Sequence, residues 1–161
     1  MNQAIHTERM RKTPEILLVD DDDVFRAALK KQLLLRGYQV QDVRSGNESI
    51  VFTRRHKPEV VILDQTMPVM DGFQTLKKIK RIHPAAQVIM LTGYGSAGVA
   101  CEAGKPNIFM CLKKPCGIEE IVAVIETAVL ENARVGTVSL KHWVLGLFFK
   151  RYRTSVFPKR F

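Results

Sequence analysis

The chain of 161 residues is predicted to fold as an α/β domain, a doubly wound, five-stranded parallel sheet with helices on both faces. Short, continuous apolar runs such as Glu15–Val19, Val60–Leu63 and Val88–Leu91 read as strands covered on both sides, because a half-exposed strand would alternate with polar residues. Stretches with helical apolar spacing separate these runs, and parallel strands need such crossovers, which are almost always right-handed. A hydrophobic content of 46% at this length suits one domain with a real core and an appendage.

Each element follows in order. Residues 1–14 are polar, end at Pro14 and read as a flexible N-terminal arm. Glu15 to Val19 is the first strand. From Asp23, the spacing of Val24, Ala27, Ala28, Leu33 and Leu34 is helical, and Gly37 suits the left-handed position after a helix. Tyr38 to Val43 forms the second strand. Ser45 or Asn47 caps a helix to about Arg55, and Pro58 precedes the third strand, which delivers Asp64. Gly72 to Ile82 places Phe73, Leu76, Ile79 and Ile82 on one helical face, with Pro84 as a stop. The fourth strand, Val88 to Leu91, ends at Thr92. A helix over Ser96 to Ala103 is weakened by Gly93, Gly95, Gly98 and Gly104. Ile108 to Leu112 is the fifth strand and leads to Lys114-Pro115. The last helix runs from Ile118 to about Arg134, with Ile118, Ile121, Val122, Ile125 and Val129 inward. The domain thus covers 15–134, and 135–161 is a basic, aromatic C-terminal extension. Five such units imply a flavodoxin-like sheet in the order 2-1-3-4-5, whose ligands sit beyond the carboxyl ends of the strands.

Charge and cysteines bound the remaining classes. The formal net charge is +9, and every Asp or Glu lies at or before Glu131 while basic residues continue to Arg160. That permits weak attraction to nucleic acid or anionic lipid without defining a site. Cys101, Cys111 and Cys116 form no CxxC pair and have no histidine at ligand spacing, so they read as free thiols of a reducing cytoplasm, not a zinc site. Met1 to Lys12 lacks the apolar core of a secretory signal, and no run is long enough to span a bilayer; the expected location is cytoplasmic.

The strand ends carry the chemistry. Asp20 and Asp21 follow the first strand, Asp64 the third, Thr92 the fourth and Lys114 the fifth. A carboxylate at a buried strand exit costs desolvation energy, and three together must share protons or hold a cation. Asp20, Asp21 and Asp64 fit an oxygen-rich Mg²⁺ site with room for a phosphoryl group. A carboxylate can attack phosphorus to form an acyl phosphate while a lysine and a hydroxyl stabilise its oxygens. Each residue alone has a plainer reading: an acidic run caps a helix, a task suited to Asp22 or Asp23, a threonine closes a turn, a lysine is a solvated charge. Their recurrence at four strand ends favours the joint reading.

These residues resemble the receiver domain of two-component response regulators, from Ile16 to about Arg134. The resemblance rests on Leu18-Val19-Asp20-Asp21, Leu63-Asp64 with Met67-Pro68-Val69-Met70-Asp71-Gly72, Met90-Leu91-Thr92-Gly93 and Lys113-Lys114-Pro115. It implies that Asp64 is the phosphoacceptor, charged by a sensor histidine kinase, a phosphotransfer protein or a small donor, and that the domain is a signalling module, not an enzyme. It further implies that Asp21 binds Mg²⁺ directly, Asp20 mainly through water, and that the Thr66 backbone carbonyl is another ligand. Thr92 would follow the phosphoryl group as the switch, Lys114 would pair with it, and Thr66 and Tyr94 would flank it. The state of Asp64 would then alter a surface that binds a downstream protein. Dimerisation through the last helices is a further implication. Receivers commonly place Tyr or Phe three residues before the lysine, where this chain has Cys111, and Lys105-Pro106-Asn107 replaces a small-residue turn.

Two other functions compete. Asp20-Asp21-Asp22-Asp23-Val24 formally matches the nucleophile motif of haloacid-dehalogenase-type phosphohydrolases, but no acidic pair follows Lys114 outside a helical pattern, and Asp64 is left without a role. A receiver-shaped interaction module that is never phosphorylated is the other. The extension, dense in apolar and aromatic residues from Val138 to Phe149 and then basic, is too short for a helix-turn-helix domain, so no direct DNA-binding domain is expected. It could pack on the domain or a second copy, contact an anionic membrane surface weakly, or stay disordered.

Overall fold

In the computed structural model, the structure describes residues 13–93 and 107–133. The elements are β1 (Glu15–Val19), α1 (Asp23–Leu35), β2 (Gln39–Val43), α2 (Gly46–His56), β3 (Val60–Asp64), α3 (Gly72–Ile82), β4 (Gln87–Thr92), β5 (Met110–Lys113) and α4 (Ile118–Ala133). The sheet runs β2-β1-β3-β4-β5 with every pairing parallel, the order expected from the sequence. Its register sets Val19 beside Leu63 and Asp64 beside Leu91, so the exits of β1, β3 and β4 lie along one edge. The arm to residue 12, the helix expected over 96–103, Tyr94, Lys105, Pro106 and the segment from 134 onward lie outside the described residues.

Two apolar layers sandwich the sheet. One packs Ile16, Leu18, Ile62, Ile89 and Leu91 against α1 and α4; the other packs Leu17, Val61, Leu63, Val88 and Met90 against α3. Alternate residues along each strand feed opposite layers, which is why the strands read as unbroken apolar runs.

The face of α1 differs from the sequence expectation in all but Leu33. Leu29 and Leu33 are buried and Phe25 is half-buried, whereas Val24 is 80% exposed and Ala27, Ala28 and Leu34 also face outward. The buried stripe follows i, i+4, i+8 and is the face that docks on the sheet, while Asp22 caps the helix start through the N–H groups of Val24 and Phe25. The last helix also turns slightly from its expected face: Ile121, Val124, Ile125 and Ala128 are fully buried, and Ile118, Val122 and Val129 are half-buried. The fifth strand starts two residues later than expected, after Asn107 takes a left-handed φ of +81°.

Cys111 is disulfide-bonded, while Cys116 is a free, half-buried thiol. The reading of three free thiols is therefore corrected, and the argument it offered for a reducing compartment goes with it. Spacing along the chain does not report how closely a fold brings two Cα atoms together. Among the described residues, no helix is long and apolar enough to cross a membrane.

Candidate phosphoryl and metal site

The β1–α1 turn is held by its own carboxylates. Asp20, 1% exposed, accepts the N–H of Asp22 at 2.9 Å through Oδ1. Asp22 in turn caps α1, and the Phe25 N–H foremost, with that of Val24, holds its carboxyl below the usual carboxylate range. Asp21 is exposed. Arg26, one turn into α1, donates from Nη1 to the Asp20 carbonyl at 2.7 Å and from Nε to Asp42 on β2 at 3.0 Å. Burial raises the Asp42 carboxyl, but hydrogen bonds from Lys30 and Arg26 outweigh it and hold the group below its ordinary value.

Asp64 ends β3 and is 5% exposed. The turn after it folds back on the strand: Gln65 N–H donates to the Leu91 carbonyl and Gly72 N–H to the Gln65 carbonyl, both at 2.9 Å. Glycine is required at 72 because a Cβ there would lie 2.4 Å from the Asp64 carbonyl oxygen and 2.8 Å from Gln65 Cα. Within the turn, Met70 N–H donates to the Pro68 carbonyl at 2.7 Å, which places Val69 at the centre of a three-residue turn with φ +68°. Thr66 N–H donates to Asp64 Oδ2 at 2.9 Å.

Lys114 joins the two strand ends. Its Nζ lies 2.7 Å from both Asp20 Oδ2 and Asp64 Oδ1, and 4.3 Å from the centroid of the Phe25 ring. Its backbone N–H donates to the Thr92 carbonyl at 2.7 Å, so the ends of β4 and β5 are tied at the site. Burial alone would push the ammonium down, but hydrogen bonds to Asp20 and Asp64 outweigh it and raise its pKa. Burial raises the Asp64 carboxyl above its usual range, and Lys114 offsets only part of that.

Asp20, Asp21 and Asp64 each offer an oxygen, and these atoms lie within 4.8 Å of one another. Three anionic oxygens at that spacing, one of them on an exposed side chain, suit a hard divalent cation that keeps some water. A cleft of about 210 Å³ opens beside Asp21, lined also by Arg44, Pro68 and Val69. A larger hollow of about 450 Å³ on the outer face of α1, beside Lys31 and Leu35, includes none of these three carboxylates.

The structure brings Asp20, Asp21, Asp64 and Lys114 together, with Thr92, 3% exposed, at the adjoining strand end. Thr66 contributes an inward N–H. Phe25 and Arg26 were not anticipated as parts of the site. Helical spacing alone does not say which side of the first turn of α1 faces the strand ends.

A family model described as the response regulator receiver domain matches residues 16–126. The DNA-binding transcriptional regulator NtrC of Salmonella typhimurium is 35% identical over 114 residues, which cover 71% of this chain and 24% of NtrC. The transcriptional regulatory protein GlrR of Escherichia coli is 34% identical over 122 residues, covering 76% of this chain and 28% of GlrR. A crystal structure of a response regulator receiver domain protein from Clostridium thermocellum superposes with a TM-score of 0.72 at 30% identity, covering 76% of this chain and 99% of that one.

The chain spans about a quarter of the length of these curated relatives. The expectation that the protein works without a direct DNA-binding domain, and so only through a separate downstream protein, is corrected by them: they are transcriptional regulators, and NtrC is by name a DNA-binding one. The length of the segment after residue 134 was the wrong measure, because a receiver's output is not bounded by the receiver. A family model covering the sheet from β1 into α4, relatives 34% and 35% identical over 76% and 71% of the chain and a matching crystal structure lead to one conclusion: this chain belongs to the response regulator receiver domains, the signalling modules of two-component systems.

Proposed function

We propose that Asp64 accepts a phosphoryl group from a phosphohistidine of a sensor kinase, or from a small phosphodonor, and that this modification switches the output of the protein. The observation that carries the reading is Lys114 Nζ at 2.7 Å from both Asp20 and Asp64, within a trio of carboxylates. An oxygen of Asp64 attacks phosphorus, a P–O bond forms, and the bond to the donor's nitrogen or oxygen breaks with its electron pair leaving on the donor. Lys114 orients Asp64 and is placed to pair with the incoming phosphoryl oxygens. Thr92 is assigned the hydroxyl that follows the phosphoryl group. Later attack by water on the acyl phosphate resets the domain.

Mg²⁺ fits the donor set: Asp21 and Asp64 would ligate it, Asp20 would act mainly through water, and the Thr66 backbone carbonyl would supply a further oxygen. When bound, the ion neutralises charge that builds on the phosphoryl oxygens. Asp20 and Arg26 keep the β1–α1 turn in place for it, through the Asp22 N–H and the Asp20 carbonyl.

Incubation with Mg²⁺ and acetyl phosphate, followed by intact-mass measurement, tests the reading. Wild type is expected to gain the mass of one phosphoryl group and Asp64→Asn none. No adduct on wild type, even with a histidine kinase supplied, would leave a receiver-shaped interaction module as the better reading.

A further inference from the structure

We propose that Phe25 is a positioning residue for Lys114, holding the ammonium between Asp20 and Asp64 through the face of its ring. Two of the ammonium's partners are the carboxylate oxygens at 2.7 Å; a third is the ring, whose centroid is 4.3 Å away. That distance is well inside the range over which the negative face of an aromatic ring attracts a cation, and the attraction grows when water is displaced. The Lys114 side chain is only 24% exposed, so few waters compete for it.

The ring is itself fixed. Phe25 N–H donates to Asp22 Oδ1 at 3.0 Å, and the half-buried ring packs against the core layer formed with α1 and α4. A closed circuit results. Asp20 Oδ1 holds the Asp22 N–H, Asp22 holds the Phe25 N–H, the Phe25 ring holds Lys114, and Lys114 returns to Asp20 Oδ2. The position of the lysine is thereby tied to the same turn that carries Asp20 and Asp21. A leucine at 25 would keep an apolar side chain on the core but would offer no attraction to the ammonium.

The kinetic consequence rests on Asp64 being the phosphoacceptor; the contact itself does not. NMR of the full chain compares the Lys114 ε-methylene shifts in wild type, Phe25→Leu, Phe25→Tyr and a protein with pentafluorophenylalanine at 25, which keeps the ring shape but reverses its face charge. The upfield ring-current shift is expected in wild type and Phe25→Tyr and lost in Phe25→Leu; in the fluorinated protein, weaker ring contact is expected to diminish it. Acetyl phosphate labelling is expected to slow by roughly threefold to tenfold in the leucine and fluorinated proteins and to return close to wild type with tyrosine. Unchanged ε-methylene shifts in Phe25→Leu would overturn the proposal, as would a fluorinated protein labelled at the wild-type rate. If wild type is not labelled at all, the reading of Asp64 fails, and the shifts alone decide the role of Phe25.

Discussion

Replacing Val69 by glycine is expected to stabilise the domain, although Val69 is an apolar residue next to the site. Its φ is +68° and the Met70 N–H closes on the Pro68 carbonyl at 2.7 Å, so a β-branched residue sits at the centre of a turn that favours glycine. Holding a non-glycine residue in such a sparsely populated region costs about 1–3 kcal/mol. The side chain is 96% exposed, so its removal forfeits only about 0.2 kcal/mol of burial. Glycine adds freedom to the unfolded chain, which costs about 0.4–1 kcal/mol. The balance is a gain of about 1 kcal/mol, or a rise in Tm of about 2–4 °C for a chain of this size. Urea and thermal unfolding of wild type, Val69→Gly and Val69→Ala measure it, with an unchanged urea slope as the check on two-state behaviour. Alanine retains a Cβ and should recover little of the gain. A glycine variant no more stable than wild type, or an alanine variant as stable as the glycine variant, would refute the assignment of strain to this turn.

Other perturbations address the site's supports. Gly72→Ala should cost about 1–3 kcal/mol, because the new Cβ meets backbone atoms of Asp64 and Gln65 that cannot swing aside, and it should slow labelling at Asp64; normal stability in denaturant melts would contradict this. Arg26→Met should cost about 2–3 kcal/mol by removing charge-assisted bonds from a side chain 13% exposed, and calorimetry should show weaker Mg²⁺ binding than in Asp42→Asn, which spares the Asp20 carbonyl contact. Asp42 has a folded pKa below its unfolded value, so its ionised form stabilises the fold above about pH 4, and that contribution fades as pH falls through the folded pKa. The stability difference between wild type and Asp42→Asn should therefore be largest near neutral pH and shrink in acid; a difference that is flat with pH would remove this account.

How much was legible depended on whether a feature is local. The strands β1, β3 and β4 were readable because burial on both faces leaves an unbroken apolar run, and α3 because its apolar residues, its glycine start and its Pro84 stop agree. The inner face of α1 was not, since Val24, Ala27 and Leu34 offer a second plausible stripe and only docking on the sheet selects Phe25, Leu29 and Leu33. The disulfide at Cys111 was likewise invisible to spacing. The output of the protein was misjudged because the span of a receiver says nothing about what it controls.

The sequence by itself determined which side chains stand at the strand exits: Asp20 and Asp21, Asp64, Thr92 and Lys114 each end an apolar run, and that is a one-dimensional pattern. Only the tertiary structure decided which of them touch. Lys114 reaches Asp20 across 94 residues of chain because β5 and β1 lie in one parallel sheet, and Phe25 meets the ammonium because α1 docks on the sheet by the face that carries Phe25, Leu29 and Leu33. Contacts of that kind depend on chain crossings and helix phase, which residue spacing does not encode.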